Sequence, residues 1–567
     1  MTFSSPPVTA DLNDPLYYRT NFETVVLWVR QHHSDLLLKT ERRLVDGLMT
    51  LSADARALLV RMVMRTGEYF RIEKLHYPEL TTTLPDLVTE LIDTDWVTST
   101  PDITVHELFR LFTLPELRLA MTSRIAGLGL KPSAPKAQLK TVMLEAYPDA
   151  APLTHWLTNI DSQVVRLRHM ALFDRLRLMF FGNLRQNWSD FVLVELGHQQ
   201  YEQVPFTPEA RAFDAREEVD RYLLMHRCRE RLDDGEPPHL IAADIPAASD
   251  NAWLEARRGR LLFELARQAE RAKDFALALQ AYDESQHREA RLRRFRLLER
   301  QKRFSEAWQE AAHAADDPRN DAEIQGLKRL MSRLAKKLDQ PLPARTQKPA
   351  IPEFTLTLDN PARHSLRHSV EWRAMTHLHT PETPVAYVEN TLITGLFGLL
   401  CWPAIFAPVP GAFFHPFHTG PVDLYREDFL SRRQGLFDNC LSELQSGHYR
   451  DRIRATWQQK RGIASPFVVW PVMTESVLEL ALECIPSAHL ESLFRRLMAD
   501  LRIHRSGLPD LIRFNPGHPD PNQRYEMIEV KGPGDRLQDH QTRWLEYCLE
   551  QGVPVSVCYV RWARGET

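Results

Sequence analysis

The residues best suited to chemistry lie near the C-terminus, in the segment GLPDLIRFNPGHPDPNQRYEMIEVKGPGDRLQDHQTRWLEYCLEQGVPVSVCYVRW. Asp510 precedes the short apolar run LIRF, and Glu529 and Lys531 sit two residues apart in YEMIEVKG. The turn-forming stretch NPGHPDPNQ between the two runs predicts a β-hairpin. Side chains alternate faces along a strand, so Glu529 and Lys531 point one way while Ile528 and Val530 point into the core. Asp510, at the mouth of the first strand, then lies across the hairpin from Glu529. Two carboxylates held that close repel unless a divalent cation neutralises them. Magnesium or manganese in such a place acidifies water and stabilises charge on a phosphate, and a neighbouring lysine orients the water. The set suits phosphodiester hydrolysis.

A Glu-x-Lys triplet alone is common on solvated strands. Here it follows a Pro-Asp at hairpin distance and precedes a glycine turn. It leads into a helix on which Leu537, Gln541, Trp544, Leu545 and Cys548 share one face, and then into the apolar strand VPVSVCYV. That strand–strand–helix–strand order is the core of the PD-(D/E)XK nuclease fold. GLPDL, EVKGPGDRL, QTRWL and GVPVSVCYV closely resemble the VRR-NUC domain. YVENTLITGLFGLLCWPAIF and FFHPFHTGPVDLYREDFLSRR resemble the Fanconi-associated nuclease family, with the likeness specific from Val385 to Trp562.

The resemblance implies a structure-specific DNA nuclease with 5'-flap endonuclease and 5'-to-3' exonuclease activity in interstrand crosslink repair. Its partner is branched DNA: a 5' flap, or a nicked or gapped duplex. It also implies two ions, Mg2+ or Mn2+, held by Glu389, Asp510, Glu529 and the Val530 carbonyl, with Lys531 as the catalytic lysine. Asp535 and Arg536 match the family's Asp-Arg pair, and Arg536 is expected on a phosphate. Gln541 fits the family pattern and lines the site. Glu389 is expected at the head of an apolar helix, Val388 to Trp402, where an unpaired buried acid calls for a cation; a carboxylate favoured by the helix dipole is the alternative. Two rival functions stand beside this one, a VRR-type nuclease acting on four-way junctions and a catalytically inactive DNA-junction scaffold.

The rest of the chain must position those groups. At 567 residues it exceeds one hydrophobic core. The expected fold is mostly α-helical over the N-terminal two-thirds, followed by an α/β PD-(D/E)XK nuclease domain. Domains are expected at 1–100 (helical), 101–155 (SAP-like), 156–350 (helical repeats and linker) and 351–567 (nuclease). Phe22 to about Leu80 reads as helix. Helices over Leu114–Met121 and Ala134–Tyr147, joined by AGLGLKPS, resemble a SAP module, in which Arg118, Lys131, Lys136 and Lys140 would meet phosphates; a plain helical hairpin is the alternative. Between Trp156 and Leu338 the pattern is again helical. There ERAKDFALALQAYDES and ERQKRFSEAWQEAAHA repeat with Phe275 and Phe304, and Ala278 and Ala307, in phase, as in a tetratricopeptide-like stack. The basic run between them is either a solvated face or a phosphate-tracking surface. A proline-rich linker, Leu338 to Phe354, follows.

Acidic residues (75) nearly balance basic ones (71), for a net charge of -4, so DNA binding must rest on local patches. The six scattered cysteines form no CxxC pair, which argues against a zinc module and for reduced thiols. No signal-peptide pattern opens the sequence. The uncharged stretch Thr391 to Phe414 is broken by Pro403, Pro408 and Pro410, and is expected in the core rather than across a bilayer. His415 and His418 complete no tetrahedral ligand set, so loop packing is expected of them. His504 and His540 are expected to be structural. The large eukaryotic family members carry a cysteine-rich zinc finger that has no counterpart here, so a compact bacterial-type member is expected, cytoplasmic and nucleoid-associated (nuclear if the source is eukaryotic).

Overall fold

The computed structural model describes residues 14–131, 133–157, 162–186, 188, 200–341, 349–359 and 369–563. Two compact units divide the chain: 1–198 with 213–219, and 199–212 with 220–567.

The first unit is helical with small sheets. Helices Tyr17–His32, Lys39–Thr50 and Ala53–Val63 pack with Phe22, Val26, Val29, Leu58 and Met62 buried, and the Phe22 ring rests on Phe173 of the helix Met170–Phe181. The expectation of helix up to Leu80 fails after Val63, where the helix ends and the chain turns through Gly67 at a φ of 87°. Beyond it Tyr69–Arg71 is a strand, β1. It joins β2 (Val97–Thr98) and β5 (Val164–Leu167) in a sheet of order β1-β5-β2, while β3 (Asp102–Ile103) pairs with β4 (Ala151–Pro152). β5 likewise falls where helix was expected.

Between β3 and β4 lies the predicted two-helix module. Leu114–Ala120 runs into a further short helix, Thr122–Gly127, and Lys136–Ala146 follows. The first carries a capping box, Thr113 with Glu116, an arrangement worth about 1 kcal/mol. Leu117, Ile125, Leu139 and Met143 form its core, and Leu128 and Val142 are half-buried at its edge.

In the second unit the repeat is borne out as stacked helices: Ala252–Arg271 with Phe275–Glu284, Ala290–Arg300 with Phe304–Asp316, then Asp321–Leu338. Ala278 and Ala307 are fully buried at matching positions. Lys273 and Lys302 share a positive φ (64° and 62°) at matching turns, so the phase extends to the backbone. The basic run between the copies is largely consumed by ion pairs: Arg291 with Glu323, Arg293 and Arg300 with Glu270, Arg294 with Glu310.

The C-terminal sheet has the order β6-β10-β9-β8-β7, from β6 (Glu353–Leu358), β7 (Val385–Tyr387), β8 (Leu511–Phe514), β9 (Tyr525–Lys531) and β10 (Val555–Trp562). β9 is antiparallel to β8 and parallel to β10, as the hairpin and the helical crossover require. Both faces are covered. Ala374 of the helix Val370–Leu378 packs with Val385, Leu511, Ile528, Val530 and Cys558 on one face. Trp544, Leu545 and Cys548 of the helix Asp539–Glu550 join Ile512, Met527, Val555 and Val557 on the other. A helical insert separates β7 from β8. It begins with Leu392–Leu400, broken from Trp402–Ile405 at Cys401, and both pieces lie in the core. No described helix is long and apolar enough to cross a membrane. The six cysteines are buried and free.

Candidate active site

Asp510, Glu529 and Lys531 meet at the C-terminal end of β9. The register Leu511↔Ile528 sets Asp510 beside Glu529, and the Val530 N–H donates to Asp510 Oδ2 at 2.9 Å. Glu529 is 1% exposed and Lys531 7%, so neither is a solvated strand charge. Lys531 Nζ lies 2.8 Å from Glu529 Oε1. Gln541 closes the group, donating from Nε2 to Glu529 Oε1 at 2.6 Å and accepting at Oε1 from Lys531 Nζ at 3.0 Å. The same Oε1 accepts from the Gln538 N–H at 3.0 Å, a reciprocal cap that fixes which way the amide faces. The C-terminal helix that carries Gln541 is held in turn by Trp544, whose Nε1–H donates to the His504 carbonyl.

Glu389 arrives through backbone contacts. The N–H groups of Val388 and Glu389 both donate to the Asp510 carbonyl, and Leu508 N–H donates to Asn390 Oδ1. Its setting differs from the one expected. The apolar helix starts at Leu392, leaving Glu389 in the preceding turn, exposed, with its carboxylate accepting from the Tyr387 hydroxyl. The argument from a buried unpaired acid therefore does not apply to it. The buried acid of the site is Glu529, which is paired with Lys531 through Oε1 while its Oε2 is buried without a hydrogen-bond partner among the described residues.

Burial, opposed by the Val530 N–H and reinforced by the charges of Glu371 and Glu389, pushes the Asp510 carboxyl up to about 6. Burial and the charge of Asp510 push Glu529 up to about 7, against the pull of Lys531. The site thus holds more negative charge than its one lysine neutralises. Glu371 was missed by sequence reasoning. It lies half-buried in the first turn of the helix Val370–Leu378, one turn before Ala374 and so on the same face, which Ala374 presses onto Leu511, Ile528 and Val530. Its only sequence signal is an acid in a helix's first turn.

The other residues singled out by sequence have the following surroundings. Asp535 Oδ2 accepts from the Gly532 N–H and closes the turn after β9; a Cβ on Gly532 would come within 3.0 Å of that oxygen. Arg536 is exposed at the end of that turn. His540 packs over Gly507, where φ is 92° and a Cβ would come within 2.9 Å of the His540 carbonyl oxygen. His504 is buried against the Arg496 carbonyl. His415 and His418 stack with ring centroids 3.9 Å apart, and burial pushes His418 down to about 4. In the two-helix module Arg118 donates to the Ala134 carbonyl and Lys136 to the Phe112 carbonyl, while Lys131 is exposed and Lys140 half-exposed.

As the side chains stand, no three His, Cys, Asp or Glu groups among the described residues converge as ligands. The donor chemistry nevertheless fits hard divalent cations: carboxylates only, one with an orphaned buried oxygen, two with raised pKa.

The sheet with its acidic pair and lysine is that of a nuclease domain, and the VRR-NUC domain model matches residues 444–562. The models for the FAN1 HTH domain and the Fanconi anemia-associated nuclease SAP domain match 16–98 and 102–156. The chain is 46% identical to the Fanconi-associated nuclease 1 homolog of Pseudomonas aeruginosa, across 97% of each chain. It belongs to the Fanconi-associated nuclease family. Human Fanconi-associated nuclease 1 is 24% identical over 96% of this chain, which spans 62% of the human protein. The crystal structure of paFAN1 bound to 2-nt 5'-flap DNA with a gap matches with a TM-score of 0.84 and 46% identity, covering 98% of this chain and all of that one. Its counterpart with a 1-nt flap gives 0.83 over 97%.

Proposed function

We propose that this protein is a metal-dependent, structure-specific nuclease that cuts 5'-flap and related branched DNA, as endonuclease and 5'-to-3' exonuclease, in interstrand crosslink repair. The observation that carries the reading is the buried Asp510–Glu529–Lys531–Gln541 cluster, with more negative charge than its lysine balances. Membership of the family and the likeness to paFAN1 on flap DNA support the substrate.

Asp510, Glu529, Glu389 and the Val530 carbonyl would hold two divalent ions, Mg2+ or Mn2+, with Glu371 adding charge beside them. Bound there, the ions would supply Lewis acidity toward a phosphoryl oxygen and neutralise the acids. The chain's own groups do the rest. Lys531, fixed between Glu529 and Gln541, holds and orients the attacking water by hydrogen bonding. Gln541 keeps that ammonium and the Glu529 carboxylate in one relative geometry, which saves reorganisation during the reaction. Arg536 reaches a phosphate from the turn. The SAP-like module grips duplex DNA through Lys131 and Lys140, and the protein works in the cytoplasm at the nucleoid.

The test is cleavage of flap, nicked, forked and four-way DNA side by side in magnesium. Flap preference is expected, with Asp510→Ala and Lys531→Ala each reduced by roughly 10³-fold or more. A preference for four-way junctions overturns the substrate assignment. Wild-type rates in either variant overturn the site.

A further inference from the structure

Beside the catalytic cluster lies a cleft of about 640 Å³ between the β6–β10 edge of the sheet and the Gly532–Asp535 turn, within the range of pockets that enclose small organic ligands. We propose that this cleft is a subsite for one nucleotide of the cleaved strand, with Tyr559 under its base and Arg561 at the phosphate beyond. The proposal rests on the nuclease reading given above.

Strand register builds the cleft. Lys531 pairs with Tyr559, and Tyr559 with Thr355, so the three side chains project from one face of the sheet in a row across the strands. Arg561 lies two residues on, on the same face. With strands about 4.8 Å apart and a rise of about 3.3 Å per residue, its Cα is about 8 Å from that of Lys531. That suits successive phosphates of one strand.

The Tyr559 ring is half-buried and rests partly on the core, which fixes it, while Lys531 and Glu353 are both close enough to act on its phenol. Arg561 is exposed, with no ion pair among the described residues. Opposite, a Cβ on Gly534 would meet nothing within 4 Å, so the turn leaves room. An immobilised aromatic face next to a free guanidinium is how proteins hold single strands with little sequence preference: the base stacks and the phosphate pairs. The acids on the cleft fix the polarity. Glu353 lies at the start of β6, away from Arg561's partner Thr357, and Asp535 is tied to its own turn, so the phosphate is directed to the Arg561 end.

The experiment scans a single abasic nucleotide through the two positions on each side of the cut in a 5'-flap substrate, using the full-length protein with magnesium. At one position the abasic substrate should lower the wild-type kcat/KM about tenfold, the scale of one base–aromatic stack. Tyr559→Ala should show the same loss on the intact substrate and no further loss on the abasic one. Tyr559→Phe should stay within about twofold of wild type, because the ring is kept. Arg561→Ala should raise KM several-fold at unchanged kcat and lower the salt slope of binding by about 0.7. Indifference of wild type to every abasic position overturns the subsite, and so do losses that multiply between the abasic site and Tyr559→Ala. The abasic and phenylalanine arms need no truncated core residue, so a misfolded Tyr559→Ala protein does not decide the question. If Lys531→Ala cuts like wild type, the active-site assignment beside which the cleft is placed fails instead.

Discussion

Glu529 offers a perturbation whose size follows from its surroundings. Its carboxyl titrates near 7 in the fold against an ordinary 4.5, chiefly because it is buried next to Asp510. An acid with a raised folded pKa binds more protons folded than unfolded. Its favourable contribution is therefore complete below the unfolded pKa and is lost as pH rises through the folded one. For Glu529 the window runs from about pH 4.5 to about 7, and the loss amounts to roughly 3 kcal/mol, shared with Asp510 because the pair titrates together. Scanning calorimetry in EDTA between pH 5 and 8 reads it as the difference between wild type and Glu529→Gln. The difference cancels the remaining titrations, and only its change with pH is interpreted, since the variant also leaves Lys531 without its carboxylate. A change of roughly 3 kcal/mol corresponds to about 6–12 °C in the melting of a cooperative unit of some 200 residues. Wild type should lose ground to the variant as pH rises. A difference flat across that range would show an unperturbed carboxyl and refute the electrostatic reasoning.

Two further outcomes follow. Gln541→Ala should lower kcat by roughly 10- to 100-fold with KM little changed, because the amide orients Lys531 and Glu529 without lying on the DNA path; single-turnover and steady-state cleavage measure the split. Replacing Lys131 and Lys140 together by Ala should reduce the salt slope of duplex binding by about 2, whereas Arg118→Ala and Lys136→Ala should act through melting temperature, since both side chains are bonded to backbone carbonyls.

How much of this was legible in the sequence depended on the range of the contacts. The hairpin, the helix with Trp544 and Cys548 on its buried face, and the parallel last strand were all readable, since local alternation and turn residues specify them. Glu371 was not readable. It joins Asp510 only because a helix far upstream packs its Ala374 face on the hairpin, a contact that leaves no local pattern. Glu389 was found through resemblance, and the physical reason attached to it, burial, belongs instead to Glu529. The strands β1 and β5 escaped because segments of three and four residues are too short to show alternation. For the basic run, the sequence displays the arginines but hides the glutamates that pair with them from neighbouring helices.

The measurement that bears most directly on the whole account is calorimetric titration of Mn2+ into the protein bound to an uncleavable 5'-flap duplex at pH 6.5. Uptake of two ions is predicted, with proton release visible as a heat that varies with the buffer, because Glu529 and Asp510 are still partly protonated there. Glu529→Gln should abolish that proton-linked uptake. No binding of ions by wild type, or the same binding in the variant, would contradict the claim that these acids are gathered to hold metal.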